Sequence, residues 1–496
     1  MSAAGAGLRR HRPPRGSGKV AGADVLVRRA LCAAAVLALA AFGSGCADAP
    51  PAVAPKPEVP AAWKLDPPWR EGRPQDALPK GPWWQLFGDP QLDQLERQAL
   101  EASPTLAAAG ARLAQAQALL RGAAAGRYPQ LALAARAARQ RVSANRPLAS
   151  YNGSNVATVQ NDDTLALSVS YEVDLSGRVR QAVAGAAASV EQANADLENT
   201  RLVLSADLAA AYVNLRSLDT ELDVLTRSIE LQRRALAFVS ERRALGAASG
   251  LEVAQQQALL DNTLTQVDVL ARQRALFEDA LATLSATPAP SFAVAPAPQR
   301  FTIPEVPLGL PSQMLERRPD VAAAERAMAV ANAQIGAARA AFYPGIVLGA
   351  SYGSESRELA SLFDAPSIVW SLGVSAAQTL FDGGRIRASV DFARAGHDVA
   401  AANYRRTVLV AMQEVEDGIT GLAALRRAAA QAGTAVDSAR RVLTLATGRY
   451  EGGASTYLDV ITAQQGLLAS ERQQAQLQGQ AVLACVFLVK ALGGSW

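Results

Sequence analysis

Few side chains in this 496-residue chain could do chemistry, and they are scattered. His397 stands beside Asp398 on a helical stretch, and such a pair can ligate a metal or pass a proton. No cysteine or second histidine lies at zinc-type spacing from it, so a lone exposed histidine is the simpler reading. There is no Walker loop, and no nucleophile stands near a plausible base. Asp382-Gly383-Gly384-Arg385 has the composition of an anion-binding turn. Glu414, Glu416 and Asp417 could attract cations, but on a helix they read as a solvated face. These residues do not assemble a catalytic constellation, and neither a metal nor a cofactor is expected.

Cys46 is the other reactive candidate. A basic stretch ending in Arg28-Arg29, an apolar run over residues 30–42 and the small residues Gly43-Ser44-Gly45 precede it. The run is too short to span a bilayer and has the form of a secretory signal. A cysteine directly after small residues is the pattern of a bacterial lipobox, with Gly43 where a leucine is usual. The alternative is an ordinary signal followed by an incidental cysteine. Residues 1–45 are therefore expected to be a signal peptide. Residues 46–82, with Pro50, Pro51, Pro55, Pro57 and Pro60, are expected to be a lipid-anchored, extended tether. Cys32 lies inside the signal and Cys485 is alone in an apolar helix, so no disulfide framework follows.

Of the 49 Lys and Arg and the 45 Asp and Glu, seven and one lie in residues 1–46. That leaves 42 basic against 44 acidic residues, a net charge of −2. The basicity belongs to the targeting segment and argues against a nucleic-acid partner.

The elements that must position anything are arranged twice. Ser103-Pro104-Thr105-Leu106 is echoed by Arg318-Pro319-Asp320-Val321, and Tyr128-Pro129 by Tyr343-Pro344, both 215 residues on. Gly177-Arg178-Val179-Arg180 returns as Gly384-Arg385-Ile386-Arg387, and Gly246 with Leu251-Glu252-Val253 as Gly453 with Leu458-Asp459-Val460, both 207 residues on. So long a period is a duplicated module, not a solenoid repeat. The modules are expected at residues 83–286 and 312–496, with a proline-rich linker over 287–311.

Each module is read as helix–hairpin–helix and contains two strand-like segments just after its Tyr-Pro. Leu165, Leu167, Val169, Tyr171, Val173 and Leu175 alternate with polar or small residues, as do Ile368, Trp370, Leu372 and Val374. Their partners are residues 131–142 and 346–352, across polar loops over 143–162 and 354–366. Alone, one such hairpin would be a soluble half-buried hairpin. In an exported chain, alternating runs of about ten residues have the length of a tilted outer-membrane strand. Four strands cannot close a barrel, for which about eight are needed, and lipid tolerates no open edge. A membrane barrel built from them must be shared between chains: two would give eight strands and three would give twelve. Only the larger leaves an open passage.

A long helix follows each hairpin. Leu208, Ala211, Leu215, Leu218, Leu222, Leu225, Ile229, Leu236 and Val239 keep heptad spacing, broken once at Gln232. Val415, Gly418, Leu422, Leu425, Ala429, Ala432, Val436, Ala439, Leu443 and Ala446 repeat the register. About 65 helical residues reach roughly 100 Å, near the depth of a periplasm. The expected fold is mainly α with a small β part: a long antiparallel coiled-coil α-barrel and four membrane strands per chain. Gly177, Arg178, Asp382, Gly383, Gly384 and Arg385 sit where strand passes into helix and are expected to be hinges. Each helix turns back at a Gly/Ala/Ser patch, over residues 245–250 and 451–456.

Four stretches carry a family resemblance: the segment from Trp83-Trp84-Gln85-Leu86-Phe87 to Leu92, Leu315-Glu316-Arg317-Arg318-Pro319-Asp320-Val321, Leu380-Phe381-Asp382-Gly383-Gly384-Arg385, and Ala411-Met412-Gln413-Glu414-Val415-Glu416-Asp417. Together they resemble the bacterial outer membrane factor family, and most closely its lipoprotein branch, which serves tripartite efflux pumps of the resistance-nodulation-division type. The resemblance implies a homotrimer whose chains each give four strands to a twelve-stranded barrel in outer-membrane lipid, with a tunnel projecting into the periplasm. It implies a passive exit duct for small toxic compounds (drugs, organic solvents or metal ions), fed by an inner-membrane proton-driven pump and a periplasmic adaptor. It implies a periplasmic aperture that Tyr450, Leu458 and Asp459 line or lock; Thr462 stands where some relatives carry an acid. It implies adaptor docking at the reversal tips: Gly246, Ala247, Gly250, Gly452, Gly453 and Thr456. The alternatives are a duct for secreted proteins and a structural periplasmic coiled-coil lipoprotein.

Overall fold

A computed structural model describes residues 81–144, 158–299, 301–304 and 317–494. Cys46, the signal and nearly all of the tether lie outside the described residues. The helices are α1 (Pro90–Ala102), α2 (Pro104–Ala125), α3 (Arg178–Ala244), α4 (Gly250–Leu284), α5 (Pro319–Ala340), α6 (Arg385–Glu451) and α7 (Tyr457–Ala491). The strands are β1 (Gln130–Val142), β2 (Thr158–Val173), β3 (Gly345–Ser356) and β4 (Ile368–Ala377). A single 3-10 turn, Trp83–Phe87, precedes α1.

Three pairs of helices repeat between the two halves at equal length. α3 and α6 each have 67 residues, α4 and α7 each have 35, and α2 and α5 each have 22. The starts follow local chemistry. The Asp89 carboxylate accepts from the Gln91 and Leu92 amides at 2.9 and 3.3 Å, and Ser103 caps α2 ahead of Pro104. α1 and α2 are therefore separate helices with one residue between them.

One of the chain's two compact units holds the strands and the helix ends next to them. The four strands form one antiparallel sheet in the order β1-β2-β3-β4. β2 and β3, from different halves, pair from Asp163↔Ser356 to Val173↔Ile346. Register places Leu133, Leu167, Tyr352 and Trp370 in one cross-strand row, and Leu131, Val169, Ala350 and Leu372 in the next. Leu131, Leu133, Leu167, Leu348, Tyr352, Trp370, Leu372 and Val374 are all exposed on that face. The other face is small and polar, with Ser351 and Ser371 hydroxyls 2.8 Å apart and Ser168 donating to the Ala132 carbonyl. Gly353 has no room for a side chain, because a Cβ there would lie 2.2 Å from the Leu165 carbonyl oxygen. The strands outrun the alternation: β2 begins at Thr158 and β3 ends at Ser356, inside the stretches expected to be loop. Backbone pairing such as Gln140↔Gln160 continues there whatever the side chains are.

The other unit holds most of the helical residues. Its largest core joins the Trp83, Trp84 and Phe87 turn and Leu92 of α1 to Leu208, Tyr212 and Leu215 of α3, Leu281 of α4, Ile419 and Leu422 of α6, and Val482, Cys485 and Leu488 of α7. Burying each large side chain contributes roughly 2 kcal/mol. All the heptad positions of α3 and α6 are buried or half-buried. At Gly418 a Cβ would meet Leu488 Cδ1 at 3.0 Å, so small residues in the second copy bring α6 close to α7. No described helix is long and apolar enough to cross a membrane.

Two polar clusters lock this unit. Arg216 and Arg274 both donate to the buried Asp219 carboxylate, at 2.8 and 2.6 Å. Tyr212 donates to Asp89 at 2.6 Å. The linker is held by the same cluster: Arg216 donates to the Ala295 carbonyl, Arg274 to that of Val294, and the Ala297 amide to Asp219. In the second cluster Arg318 forks onto Asp320, pairs with Glu414 at 2.7 Å and donates to the Ala491 carbonyl. Glu414 is therefore not part of a solvated acidic face; it ties α6 to the start of α5.

Candidate functional site

At both helix reversals the backbone makes the same cap. The Gly246 amide donates to the Arg243 carbonyl and the Ala247 amide to that of Arg242; the Gly453 amide donates to Tyr450 and the Ala454 amide to Arg449. These are paired Schellman bonds, and Gly246 and Gly453 take the left-handed conformation they need, at φ 75° and 72°. The returning helices are capped differently. Ser249 accepts from the Glu252 amide before Gly250, the first residue of α4. Thr456 and Asp459 form a capping box, with the Thr456 amide donating to the Asp459 carboxylate at 3.2 Å.

The two reversals meet in one apolar cluster of Val239, Leu259, Tyr450, Tyr457, Val460 and Ile461. Tyr450 is buried, its ring 5.0 Å from that of Tyr457, and its hydroxyl donates to Glu252 at 3.0 Å. The Arg242 guanidinium lies 4.8 Å above the Tyr450 ring. Burial raises the Tyr450 pKa, and the bond to Glu252 raises it further. Among the expected aperture residues, Tyr450 therefore ties α6 to α4, and Asp459 caps its own helix. Leu458 is 55% exposed, with its side chain outside the core of its own chain. Thr462 donates back to the Leu458 carbonyl at 2.8 Å.

Beneath this cluster lies a polar layer that the heptad pattern showed only as its break at Gln232. Gln232 and Gln256 are fully buried and Gln464 nearly so. The Gln256 side-chain amide accepts from the Tyr457 hydroxyl at 2.8 Å and donates to the main-chain carbonyl of residue 232 and to the Gln464 side chain, while the Gln232 side chain donates to Ser228 on its own helix. Below the layer the packing is apolar again, around Leu218, Leu225, Leu270 and Leu468.

The hinge residues belong to the sheet unit. Gly177, Gly383 and Gly384 have φ 75°, 66° and 95°. Arg178 forks onto Glu172 of β2. Asp174 caps α3 through the Val179 and Arg180 amides. At the second hinge the Asp382 carboxylate accepts from the Gly384 and Ile386 amides at 2.9 and 2.8 Å, which lowers its pKa. The amides of this anion-binding turn are thus taken by the chain's own carboxylate, just ahead of Arg385 at the start of α6. His397 Nδ1 lies 3.9 Å from Asp398. No group of three or more metal-ligating side chains occurs among the described residues.

The outer membrane efflux protein family model matches residues 95–287 and 310–494. The pyoverdine export outer membrane protein OpmQ of Pseudomonas putida is 34% identical over 85% of this chain and 89% of its own length. The toluene efflux pump outer membrane protein TtgF of Pseudomonas putida is 30% identical over 93% of this chain and 96% of its own. The crystal structure of the outer membrane protein VceC of Vibrio cholerae superposes with a TM-score of 0.79 at 31% identity, covering 84% of this chain and all of that one. With four strands, paired long helices and two matched stretches in one chain, the protein belongs to the outer membrane efflux protein family.

Proposed function

We propose that this chain is the outer-membrane exit duct of a tripartite efflux assembly and works as a homotrimer. The sheet carries this reading. It has an apolar exposed face, a small polar face, and free edges at β1 and β4 among the described residues. In lipid those edges must pair, and three copies supply twelve strands around an open passage. The polar face would then line the passage. Transport needs no chemistry from the duct, so an inner-membrane pump must supply the energy, and an adaptor must join the two at the reversal tips around Gly246 and Gly453. Relatives named for pyoverdine export and for toluene efflux suggest that the pump, more than the duct, selects the cargo; small toxic compounds are the cargo class proposed here.

Three copies would bring Leu458 of each α7 toward the axis at the periplasmic end, where a narrow leucine ring resists wetting. Cys46 would be lipidated, adding about 0.8 kcal/mol of membrane binding per buried CH₂. Deletion of the gene should raise sensitivity to dyes and solvents, with recovery on re-expression. Purified protein should run as a heat-sensitive trimer and conduct ions in planar bilayers. A water-soluble, well-folded monomer of the mature chain would overturn the reading, and failure to take up labelled palmitate would overturn lipidation.

A further inference from the structure

The register that separates the two faces of the sheet also sorts its charges. Odd-numbered residues of β1 share the apolar face with Leu131 and Leu133, and the outermost of them are Arg139 and Arg141, both exposed. Arg139 stands opposite Asn161, and Arg141 opposite Val159. β2, β3 and β4 contain no lysine or arginine. The cations of the sheet therefore all lie from the middle of β1 outward, with Arg136 on the polar face. The acid of the apolar face is Asp163, opposite Ala137. Neither Arg139 nor Arg141 is paired with a carboxylate among the described residues.

α2 leads into β1 and β2 leads into α3, so Gln130 and Val173 mark the periplasmic end of the sheet, and Val142 and Thr158 the outer end. A strand rises about 3.4 Å per residue, and a tilt of about 40° leaves roughly 2.6 Å of height. On that measure Arg139 and Arg141 stand roughly 23 and 29 Å above Gln130. The apolar band of a membrane barrel is about 25 Å tall. The two guanidiniums therefore bracket the level at which hydrocarbon gives way to headgroups. Tyr352 and Trp370 pair directly across β3 and β4 on the same face, roughly 18 Å above Gly345, where an interfacial aromatic girdle belongs.

Arginine is costly on the lipid face at mid-bilayer and nearly free at its edge, so the barrel can hold these two only at headgroup level. Successive residues on one face of a strand are about 6.8 Å apart. Two planar forks at that spacing can close on one phosphate group, or on two phosphates of the same headgroup.

We propose that Arg139 and Arg141 form a binding site for a phosphate-bearing lipid of the outer leaflet, a phosphorylated glycolipid of the lipid A type. This rests on the barrel reading given above. β1 is an edge of the four-stranded sheet, so the site lies beside the seam where one copy meets the next. Lipid held there stabilises the trimer as well as its seat in the membrane.

The test uses the full mature trimer in detergent: wild type, Arg139→Gln/Arg141→Gln, and Arg136→Gln as a control on the polar face. Each is mixed with bisphosphorylated lipid A, with the same glycolipid lacking its phosphates, or with inorganic phosphate. Native mass spectrometry counts bound lipid, and gels give the temperature at which the trimer dissociates. The expected result is that bisphosphorylated lipid A binds wild type and Arg136→Gln and raises their dissociation temperature by several degrees. Binding to the double variant should fall at least tenfold, and the glycolipid without phosphates should bind all three weakly. Equal binding to wild type and the double variant would overturn the proposal, while the duct reading would stand on the trimer itself. Stabilisation by inorganic phosphate equal to that by the lipid would show an anion site and overturn the lipid assignment. A wild-type chain that forms no trimer would sink the duct reading and this site together. Should only the double variant fail to assemble, Arg139→Lys/Arg141→Lys keeps the charge and removes the forks; undiminished lipid binding by that variant would overturn the proposal.

Discussion

The Tyr450 hydroxyl donates to the Glu252 carboxylate at 3.0 Å, across 198 residues of sequence and between the two halves of the duplication. Arg242, from the last turn of α3, covers the same ring, so three helices converge on one phenol. Tyr450→Phe keeps the ring and its stacking and removes the bond. The expected cost to folding is about 1 kcal/mol, since one hydrogen bond to a charged group is lost near the surface. The expected effect on the duct is a higher resting conductance, measured in planar bilayers.

Ala286 is the described non-glycine residue with positive φ, at 58°. It ends α4 in the same Schellman bonds that Gly493 makes after α7, and the two positions are 207 residues apart. One copy of the duplication thus has a glycine where this conformation asks for one, and the other does not. A left-handed alanine costs about 1 kcal/mol relative to glycine. Ala286→Gly should raise the thermal midpoint of the trimer by a few degrees, read by circular dichroism in detergent. A midpoint that falls would show that chain entropy outweighs the relieved strain.

These two sites also show what the sequence can and cannot express. Heptad spacing names Leu208, Leu215, Leu225 and Val239 as core because it depends only on helix period, and all four are buried. The glycines at the reversals are readable because a left-handed cap demands them. Gln256 gave no signal, since its partners, the main-chain carbonyl of residue 232 and the Tyr457 hydroxyl, lie across helix reversals and no period connects them. The linker showed in sequence only as a proline-rich stretch. Its clamps, Arg216, Asp219 and Arg274, are ordinary helix-surface charges until folding places residues 294–297 beside them. Local patterns survive in sequence, and polar contacts made across the fold do not.

Glu96 of α1 is fully buried with no hydrogen-bond partner for either carboxyl oxygen. Burial pushes its pKa up to about 9, and the nearby Asp93 adds to the shift while the Ser205 hydroxyl opposes it. The folded protein therefore holds this proton more tightly than the unfolded chain does. Stability is greatest below the ordinary carboxylate range and falls as pH rises from about 4.5 towards 9. At pH 7 the penalty is on the order of 3 kcal/mol. Glu96→Gln cannot ionise and should be more stable than wild type at pH 8 but similar at pH 4.5. Thermal midpoints across that range would check it; parallel curves for the two proteins would refute the buried-acid account.

Leu372 is 80% exposed on β4 and shares a cross-strand row with Ala350 and Val169. If this face meets lipid, Leu372→Arg should cost about 2–4 kcal/mol at mid-bilayer and less near an interface. Ser371→Arg, one residue away on the other face, should leave assembly intact, because it would point into the aqueous passage. The yield of membrane-inserted, heat-sensitive trimer distinguishes the two. Equal losses would mean that the apolar row is not the lipid face.

Asp219 accepts from both Arg216 and Arg274, and all three are buried. The pair of guanidiniums also holds the Ala295 and Val294 carbonyls, so the carboxylate fixes the donors that fix the linker. Asp219→Ala would leave two buried cations sharing Tyr212, Glu278 and backbone oxygens, and breaking such a pair costs about 3–5 kcal/mol. Asp219→Asn keeps one acceptor and the volume, and should cost less. Because the Ala297 amide also loses its acceptor, the first segment to loosen should be residues 294–299, ahead of the helices. Limited proteolysis of the detergent-solubilised trimer should then cut Asp219→Ala within that stretch at a temperature where the wild type is intact. Cleavage elsewhere first, with this stretch still protected, would show that the linker is held by its apolar contacts at Val294 and Phe301 rather than by the ionic cluster.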